Sequence, residues 1–151
     1  MKLIIGSDHR GFHIKLVLQE RLRKHNGQTI EWLDAGCFSA ERCDYPPFAE
    51  KVARAVLAKE ADGGILLCGS GVGVSIVANR FPGIYAALVW NEALARLAKE
   101  DDNANILALP ADSISSEEAI HLIQAWLGAT FKGGRYQQRL LMIESMDIGS
   151  R

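Results

Sequence analysis

The chain has 151 residues, of which 48% are hydrophobic and 23% charged, enough apolar material for one folded core. A formal net charge of -1 argues against general electrostatic binding to nucleic acids or membrane surfaces. No window reaches the roughly 18 apolar residues of a membrane span, and the first residues lack the apolar core of a signal peptide. Three cysteines without metal-ligand spacing disfavour a disulfide framework and favour a reducing, cytoplasmic location. We expect one domain over residues 1–151, with the last few residues as a loose tail.

The spacing of apolar residues predicts strands that alternate with helices along the chain. Asn26-Gly27 is read as a helix stop, and Tyr45-Pro46-Pro47 as a helix start with proline in the first turn. The predicted strands are 2–6, 29–33, 65–68, 84–89 and 105–109; the predicted helices are 12–25, 45–60, a short one completed by 76–80, 91–100, 115–127 and 135–146. This order predicts a three-layer α/β/α, Rossmann-like fold: a five-stranded parallel sheet with helices on both faces and a C-terminal helix.

Sites in such sheets lie outside the carboxyl ends of the strands. The segments that directly follow predicted strands should therefore share one rim of the molecule. These segments are 8–9, 34–45, 68–73, 90–92 and 110–113.

Residues 68–73 combine a thiol with three glycines at alternate positions. Amides in such a loop can converge on a negative oxygen because no Cβ blocks the approach, and a following helix N-terminus adds positive potential. The glycines lack the spacing of a dinucleotide fingerprint, and no Lys-Ser/Thr pair follows as in a P-loop. The pattern predicts chemistry that forms an oxyanion beside a Cys68 base or nucleophile. The alternative is a buried cysteine followed by a tightly packed turn.

Three other places could add polar groups to this site. Asp8 and His9 could supply a carboxylate and an imidazole, or could be a helix cap and a surface histidine. Tyr45 could place a phenol over the loop, or could simply pack at the rim. Arg135 and Arg139 lie at i and i+4 on one predicted helix face, where guanidinium forks suit phosphate oxygens, although a solvated basic face gives the same pattern.

Several segments resemble the ribose-5-phosphate isomerase B family, which includes galactose-6-phosphate and allose-6-phosphate isomerases. They agree in register over essentially the whole chain and are 6–12, 44–46, 62–76 with Asn79, 125–128 and 133–139. The resemblance implies aldose–ketose isomerisation of a phosphorylated sugar through a cis-enediolate, foremost ribose 5-phosphate to ribulose 5-phosphate. It implies no metal and no cofactor. It also implies a homodimer, or a dimer of dimers, whose sites are shared between subunits, with no nucleic-acid or membrane partner.

Carried over by position, the family's roles fall on residues of several segments. Cys68 would move the proton between C1 and C2 with help from Ser70. Ser75 stands near the position where the family's other branch carries a Glu base, so the chain resembles the cysteine branch. The remaining implied roles are enediolate binding by the amides of Gly69, Ser70, Gly71, Val72 and Gly73, sugar-oxygen contacts by Asp8 and Tyr45, hydroxyl contacts by Asp102 and Asn103, and phosphate binding by His9, Arg135 and Arg139, the last two from the partner subunit.

Two positions depart from the family pattern. Asp101 stands where the family usually has a histidine that opens the furanose ring; a carboxylate is ionised at neutral pH, so it is a poor acid but a possible base. Asp112 stands where the family often has a further phosphate-binding arginine, and its charge would repel a phosphate. Arg10, where the family usually has a small apolar residue, could compensate.

These departures leave the substrate open. A tetrose 4-phosphate cannot close the usual furanose because its 4-oxygen is esterified, so its isomerase needs no ring opener. Allose 6-phosphate and galactose 6-phosphate are further alternatives, as is a non-catalytic partner subunit of such an isomerase. A nucleotide-binding function is disfavoured because the chain has neither the dinucleotide fingerprint nor a P-loop.

Overall fold

The computed structural model describes residues 1–146. The strands are β1 (Lys2–Ser7), β2 (Lys24–His25), β3 (Gln28–Thr29), β4 (Glu31–Gly36), β5 (Gly63–Cys68), β6 (Ala86–Leu88) and β7 (Ile106–Pro110). The helices are α1 (Phe12–Arg21), α2 (Pro46–Leu57), α3 (Val72–Ala78), α4 (Glu92–Glu100), α5 (Ser116–Leu127) and α6 (Arg135–Glu144). The loose tail expected for the last few residues falls outside the described part of the chain.

Five strands form one parallel sheet in the order β4-β1-β5-β7-β6. β5 is buried along its whole length, which explains why its sequence is a continuous apolar run rather than an alternating one. Helices α1, α4 and α5 pack on one face of the sheet, and α2 and α3 pack on the other. The predicted three-layer fold is confirmed.

The segment after α1 corrects the predicted helix 12–25, which ends at Arg21. Strands β2 and β3 form an antiparallel hairpin, with Asn26 (φ 47°) and Gly27 (φ 79°) at its turn. Positive φ at both central residues is the geometry of a type I′ hairpin turn, for which Asn-Gly is the strongest sequence signal. The strand predicted at 29–33 is correspondingly displaced to Glu31–Gly36.

Helix α6 lies at the end of the described chain and buries few of its side chains. Leu140 is its buried residue, while Leu141, Met142 and Ile143 are exposed. The hydroxyl of Tyr85 donates a 2.5 Å hydrogen bond to Glu144 Oε1 and ties the end of α6 to the segment before β6. Within residues 1–146, no helix has the length and apolar character needed to cross a membrane.

The order of the strands creates a crevice outside the carboxyl ends of β1 and β5. From β1 the chain passes to β4 on one side, and from β5 it passes to β6 and β7 on the other side. The connecting segments therefore diverge between these two neighbouring strands. This switch point is where ligands bind in open parallel sheets.

Candidate active site

Three loops meet at this crevice, those after β1, β5 and β7. The amide of Asp8 donates to the Leu67 carbonyl at 3.2 Å, so the first loop leaves the sheet beside the end of β5. The amide of Asp112 donates to the Gly69 carbonyl at 3.0 Å and ties the third loop to the second. Cys68, the last residue of β5, lies between them with 4% of its surface exposed.

The loop after Cys68 turns sharply into α3. Gly71 has a left-handed conformation (φ 74°), which a residue with a side chain rarely adopts, and it directly precedes the helix. The first-turn amides of a helix have no carbonyl of the same helix to bond. One of them, from Val72, donates to Ser70 Oγ at 3.2 Å, so the Ser70 hydroxyl caps the turn.

Tyr45 lies on this loop and directly precedes α2, whose first residue is Pro46. A methyl group added to Gly73 would lie 2.7 Å from the Tyr45 hydroxyl and 2.8 Å from its Cε2 atom. Gly73 therefore has to lack a side chain for the phenol to pack here. Tyr45 lies against the loop and also packs against the core, so this position fits both sequence interpretations.

Asp8 and His9 are both held by backbone groups. Asp8 is buried, and its Oδ1 accepts hydrogen bonds from the amides of Arg10 (2.9 Å) and Gly11 (3.2 Å). It closes the turn before α1 but is not the cap of that helix, because Gly11 is the N-cap and no side chain caps it. Both bonds end on Oδ1, and the other oxygen takes no part in this turn. The Nδ1 atom of His9 lies 3.2 Å from the carbonyl and 3.3 Å from the amide of Cys43. In either tautomer, Nε2 is the nitrogen that can meet a ligand.

Arg10 and Asp112 form an ion pair with each other. Arg10 Nε donates to Asp112 Oδ1 at 3.1 Å, and Nη2 contacts Oδ2. Sequence reasoning named both residues but not their contact. We call the residues around the crevice the rim group: Asp8, His9, Arg10, Tyr45, Cys68 to Gly73 and Asp112.

The other candidate residues lie elsewhere in the chain. Residues 101–103 connect the end of α4 to the start of β7, which places them at the amino edge of the sheet, opposite the rim group. Asp101 Oδ1 accepts a 2.7 Å hydrogen bond from Lys132, and Asn103 Oδ1 accepts one of 2.8 Å from Lys99. Asp102 is exposed. A single chain therefore does not bring these residues to Cys68.

The α6 arginines belong to the same edge as Asp101. Lys132, Arg135 and Arg139 all lie over the ring of Tyr136, with their cationic groups 5.1, 5.1 and 5.3 Å from its centre. We call this set the far-edge group: Asp101, Asp102, Asn103, Lys132, Arg135, Tyr136 and Arg139. Sequence reasoning missed the roles of Lys132 and Tyr136, although Tyr136 separates the two arginines in the sequence.

Two pKa values in the far-edge group reflect these contacts. The hydrogen bond from Lys132 to Asp101 raises the pKa of the ammonium. The Tyr136 hydroxyl, 3.2 Å from Arg135 Nη2, raises the pKa of that guanidinium. Both contacts favour the cationic forms of these side chains.

Lys15 is a fully buried residue that the sequence pattern did not single out. Its ammonium contacts both carboxylate oxygens of Asp34 at 2.6 and 2.8 Å and the carbonyl of Cys37 at 2.6 Å. It thereby anchors the segment that reaches His9 through Cys43. In this segment, burial and the neighbouring Cys37 thiol raise the pKa of Cys43.

Within residues 1–146, no group of three or more His, Cys, Asp or Glu side chains is arranged to hold a metal ion. Besides the Arg10–Asp112 pair, the rim offers the thiol of Cys68, the carboxylate of Asp8, the phenol of Tyr45, the imidazole of His9 and the hydroxyl of Ser70 around a glycine loop.

The chain is similar over nearly its whole length to proteins of known family. A family model described as Ribose/Galactose Isomerase matches residues 3–143. The ribose-5-phosphate isomerase B of Escherichia coli (strain K12) is 41% identical over 146 residues, which cover 97% of this chain and 96% of that protein. A crystal structure of a ribose 5-phosphate isomerase from Thermotoga maritima has a TM-score of 0.90 at 44% identity, covering 96% of this chain and 98% of that one.

A second solved structure is similar to this chain and contains a sugar phosphate. It is the ribose-5-phosphate isomerase B of Mycoplasma genitalium with bound ribulose-5-phosphate, with a TM-score of 0.86 at 39% identity, covering 95% of this chain and 93% of that one. Because the family model matches residues 3–143 and these relatives are 39%, 41% and 44% identical, the chain belongs to the ribose/galactose isomerase family.

Proposed function

We propose that the chain is an aldose–ketose isomerase that converts ribose 5-phosphate to ribulose 5-phosphate in a single domain. The observation that carries this proposal is the arrangement of the rim group, in which Cys68 lies at the switch point with Tyr45 packed on the loop that follows it. The names of the relatives and the ribulose-5-phosphate bound to one of them support the choice of substrate.

The proposed reaction needs one base and a set of oxygen contacts. The Cys68 thiolate removes the proton from C2 of the aldose, and the C1 carbonyl oxygen becomes an enediolate oxygen. The thiol then returns a proton to C1, while the hydroxyl proton passes from O2 to O1. Ser70, Asp8 and Tyr45 are the polar groups proposed to line these oxygens, and the loop amides stabilise the negative charge.

The complete site, in this proposal, is formed by two copies of the chain. The far-edge group supplies cations for the phosphate but lies at the sheet edge opposite Cys68. A second copy can bring its own far-edge group to the rim group of the first. Arg135 and Arg139 would then bind the phosphate together with His9, and Asp101, Asp102 and Asn103 would face the sugar.

Exposed apolar side chains beside both groups support this assembly. Val72 and Ile76 of α3 and Trp90 are exposed near the rim group. The exposed apolar residues of α6 follow directly after the arginines of the far-edge group, and Met142 among them is 65% exposed. Burying the two patches against each other removes apolar surface from water and brings the two half-sites together.

We further propose that the enzyme works in a reducing cytoplasm. Its three cysteines are free, and the proposed base must remain a thiol to transfer protons. Oxidation of Cys68 would abolish this role.

Proton exchange tests the proposed chemistry directly. In D₂O, the purified chain should incorporate deuterium from solvent at C2 of ribose 5-phosphate, measured by NMR. Cys68→Ala should abolish the exchange, and Cys43→Ala is the matched control because Cys43 contacts His9 through its backbone only. Absence of exchange with every sugar phosphate would contradict the proposal and favour a non-catalytic subunit.

A substrate panel tests the choice of sugar. Ribose 5-phosphate, allose 6-phosphate, galactose 6-phosphate and erythrose 4-phosphate should be compared by kcat/KM. Asp101, which accepts a hydrogen bond from Lys132, places a carboxylate rather than an imidazole at the position of the implied ring opener. Preference for ribose 5-phosphate supports the proposal, whereas preference for the tetrose shows that no ring opening is needed.

A further inference from the structure

The Arg10–Asp112 ion pair spans the loop that follows Cys68. Arg10 follows β1 and Asp112 follows β7, and these strands flank β5 on its two sides. The two residues are 102 positions apart in the sequence, so their contact is a product of the fold.

The pair lies directly on the Gly69 backbone. A methyl group added to Gly69 would lie 2.8 Å from Asp112 Oδ2 and 2.9 Å from Arg10 Nε. The bond from the Asp112 amide to the Gly69 carbonyl fixes the carboxylate relative to the loop. The guanidinium is therefore placed one residue from Cys68, at the outer side of the crevice.

Asp112 occupies one edge of the Arg10 guanidinium, the edge formed by Nε and Nη2. A phosphate uses the same planar fork, because a guanidinium binds carboxylates and phosphates in the same bidentate way. The side chains are 55% and 42% exposed, so an incoming anion can reach both. It meets a cation that is already partly neutralised and a carboxylate of its own sign beside it.

We propose that Asp112 sets the phosphate affinity of the rim group by competing with the phosphate of the substrate for Arg10. This inference rests on the proposed function, since it assumes that the rim group receives a phosphorylated sugar. The competition weakens binding of any phosphate through Arg10 alone. Because every phosphate then binds Arg10 more weakly, tight binding requires additional contacts of a sugar with the Cys68 loop.

Calorimetric titration with inorganic phosphate, at fixed pH and ionic strength, tests this competition. Asp112→Asn should lower the Kd for phosphate by about 3- to 10-fold, the size expected for one screened charge contact at an exposed site. The KM for ribose 5-phosphate should fall in the same direction. In an Arg10→Met background, Asp112→Asn should have a much smaller effect, because the cation for which the two anions compete is gone.

The matched control is Glu31→Gln, which removes a carboxylate from the Lys2–Glu31 pair at the amino edge of the sheet. It changes the net charge by the same amount and should leave the Kd and the activity unchanged. Asp112→Ser serves as a second variant if Asp112→Asn folds poorly.

An unchanged or higher Kd in both Asp112 variants would overturn the inference, as would phosphate binding that is undetectable in them. The titration does not depend on turnover. If the Kd values change as expected but the chain isomerises no sugar phosphate, the proposed function is refuted and the competition is upheld. Isomerisation with no effect of Asp112 on Kd or KM would refute the competition alone.

Discussion

The buried pair of Lys15 and Asp34 gives a stability prediction with a definite asymmetry. The Lys15 side chain is fully buried, whereas that of Asp34 is 28% exposed. The three donors of the ammonium have three acceptors, two from Asp34 and one from Cys37. Asp34 has additional donors, the Gln19 amide group at 3.1 Å and the Gly36 backbone amide at 2.8 Å.

Removing the charge of one partner should therefore cost more for Asp34 than for Lys15. Asp34→Asn leaves a buried ammonium without a counter-charge and should lower the free energy of unfolding by about 3 kcal/mol. Lys15→Met leaves a carboxylate that still reaches water and two donors, and should cost about 1–2 kcal/mol, mainly for the lost bond to the Cys37 carbonyl. The double variant should lie within about 1 kcal/mol of Lys15→Met, because no buried charge is left uncompensated.

Urea unfolding followed by circular dichroism, at one fixed protein concentration, measures these differences. For a chain of this size, 3 kcal/mol corresponds to a fall in Tm of about 6–12 °C. A cost below about 1 kcal/mol for Asp34→Asn, or a double variant less stable than both single ones, would refute the reasoning. The first result would mean that water reaches the ammonium in solution, and the second that the two side chains stabilise the fold independently.

Three further predictions concern other contacts. Gly73→Ala should destabilise the protein by about 1–3 kcal/mol through its clash with Tyr45, and by much less in a Tyr45→Ala background, measured in a double-mutant cycle. Burial and Glu144 raise the pKa of Tyr85 from 10.0 to about 12, so the stability it contributes is complete below pH 10 and lost as the pH rises toward 12. Tyr85→Phe should flatten this alkaline loss in unfolding experiments, and an equally steep loss would count against it. Ser115→Ala should cost about 1 kcal/mol by removing the N-cap of α5, with Ser115→Asp retaining most of the stability.

The parts of the fold that follow from local patterns could be predicted from the sequence. The apolar run that ends at Cys68 could only be a buried strand between turn signals, and the proline pair after Tyr45 marks a helix start. The hairpin after α1 was missed because the apolar spacing continues to Leu22, which is buried, and hides the earlier end of the helix at Arg21. Asn26-Gly27 does form a turn, but it is the turn of a β-hairpin and not the end of a helix.

Contacts between distant residues could not be predicted in this way. Lys15 looks like an ordinary surface residue of an amphipathic helix until β4 brings Asp34 against it. The pairing of Arg10 with Asp112 depends on the strand order, which alternation of strands and helices does not specify. The position of Asp101 at the amino edge was not predicted, although a segment between a helix and the next strand of a parallel sheet lies at that edge.

The rim group and the far-edge group lie at opposite edges of one sheet, so a substitution in one group leaves the other intact. A Cys68→Ala chain retains an intact far-edge group, and an Arg139→Ala chain retains an intact rim group. In the proposed two-fold assembly, a mixed dimer of these inactive chains combines the intact rim of one with the intact far edge of the other. One of its two sites is then whole, so two inactive preparations restore activity when their subunits are exchanged.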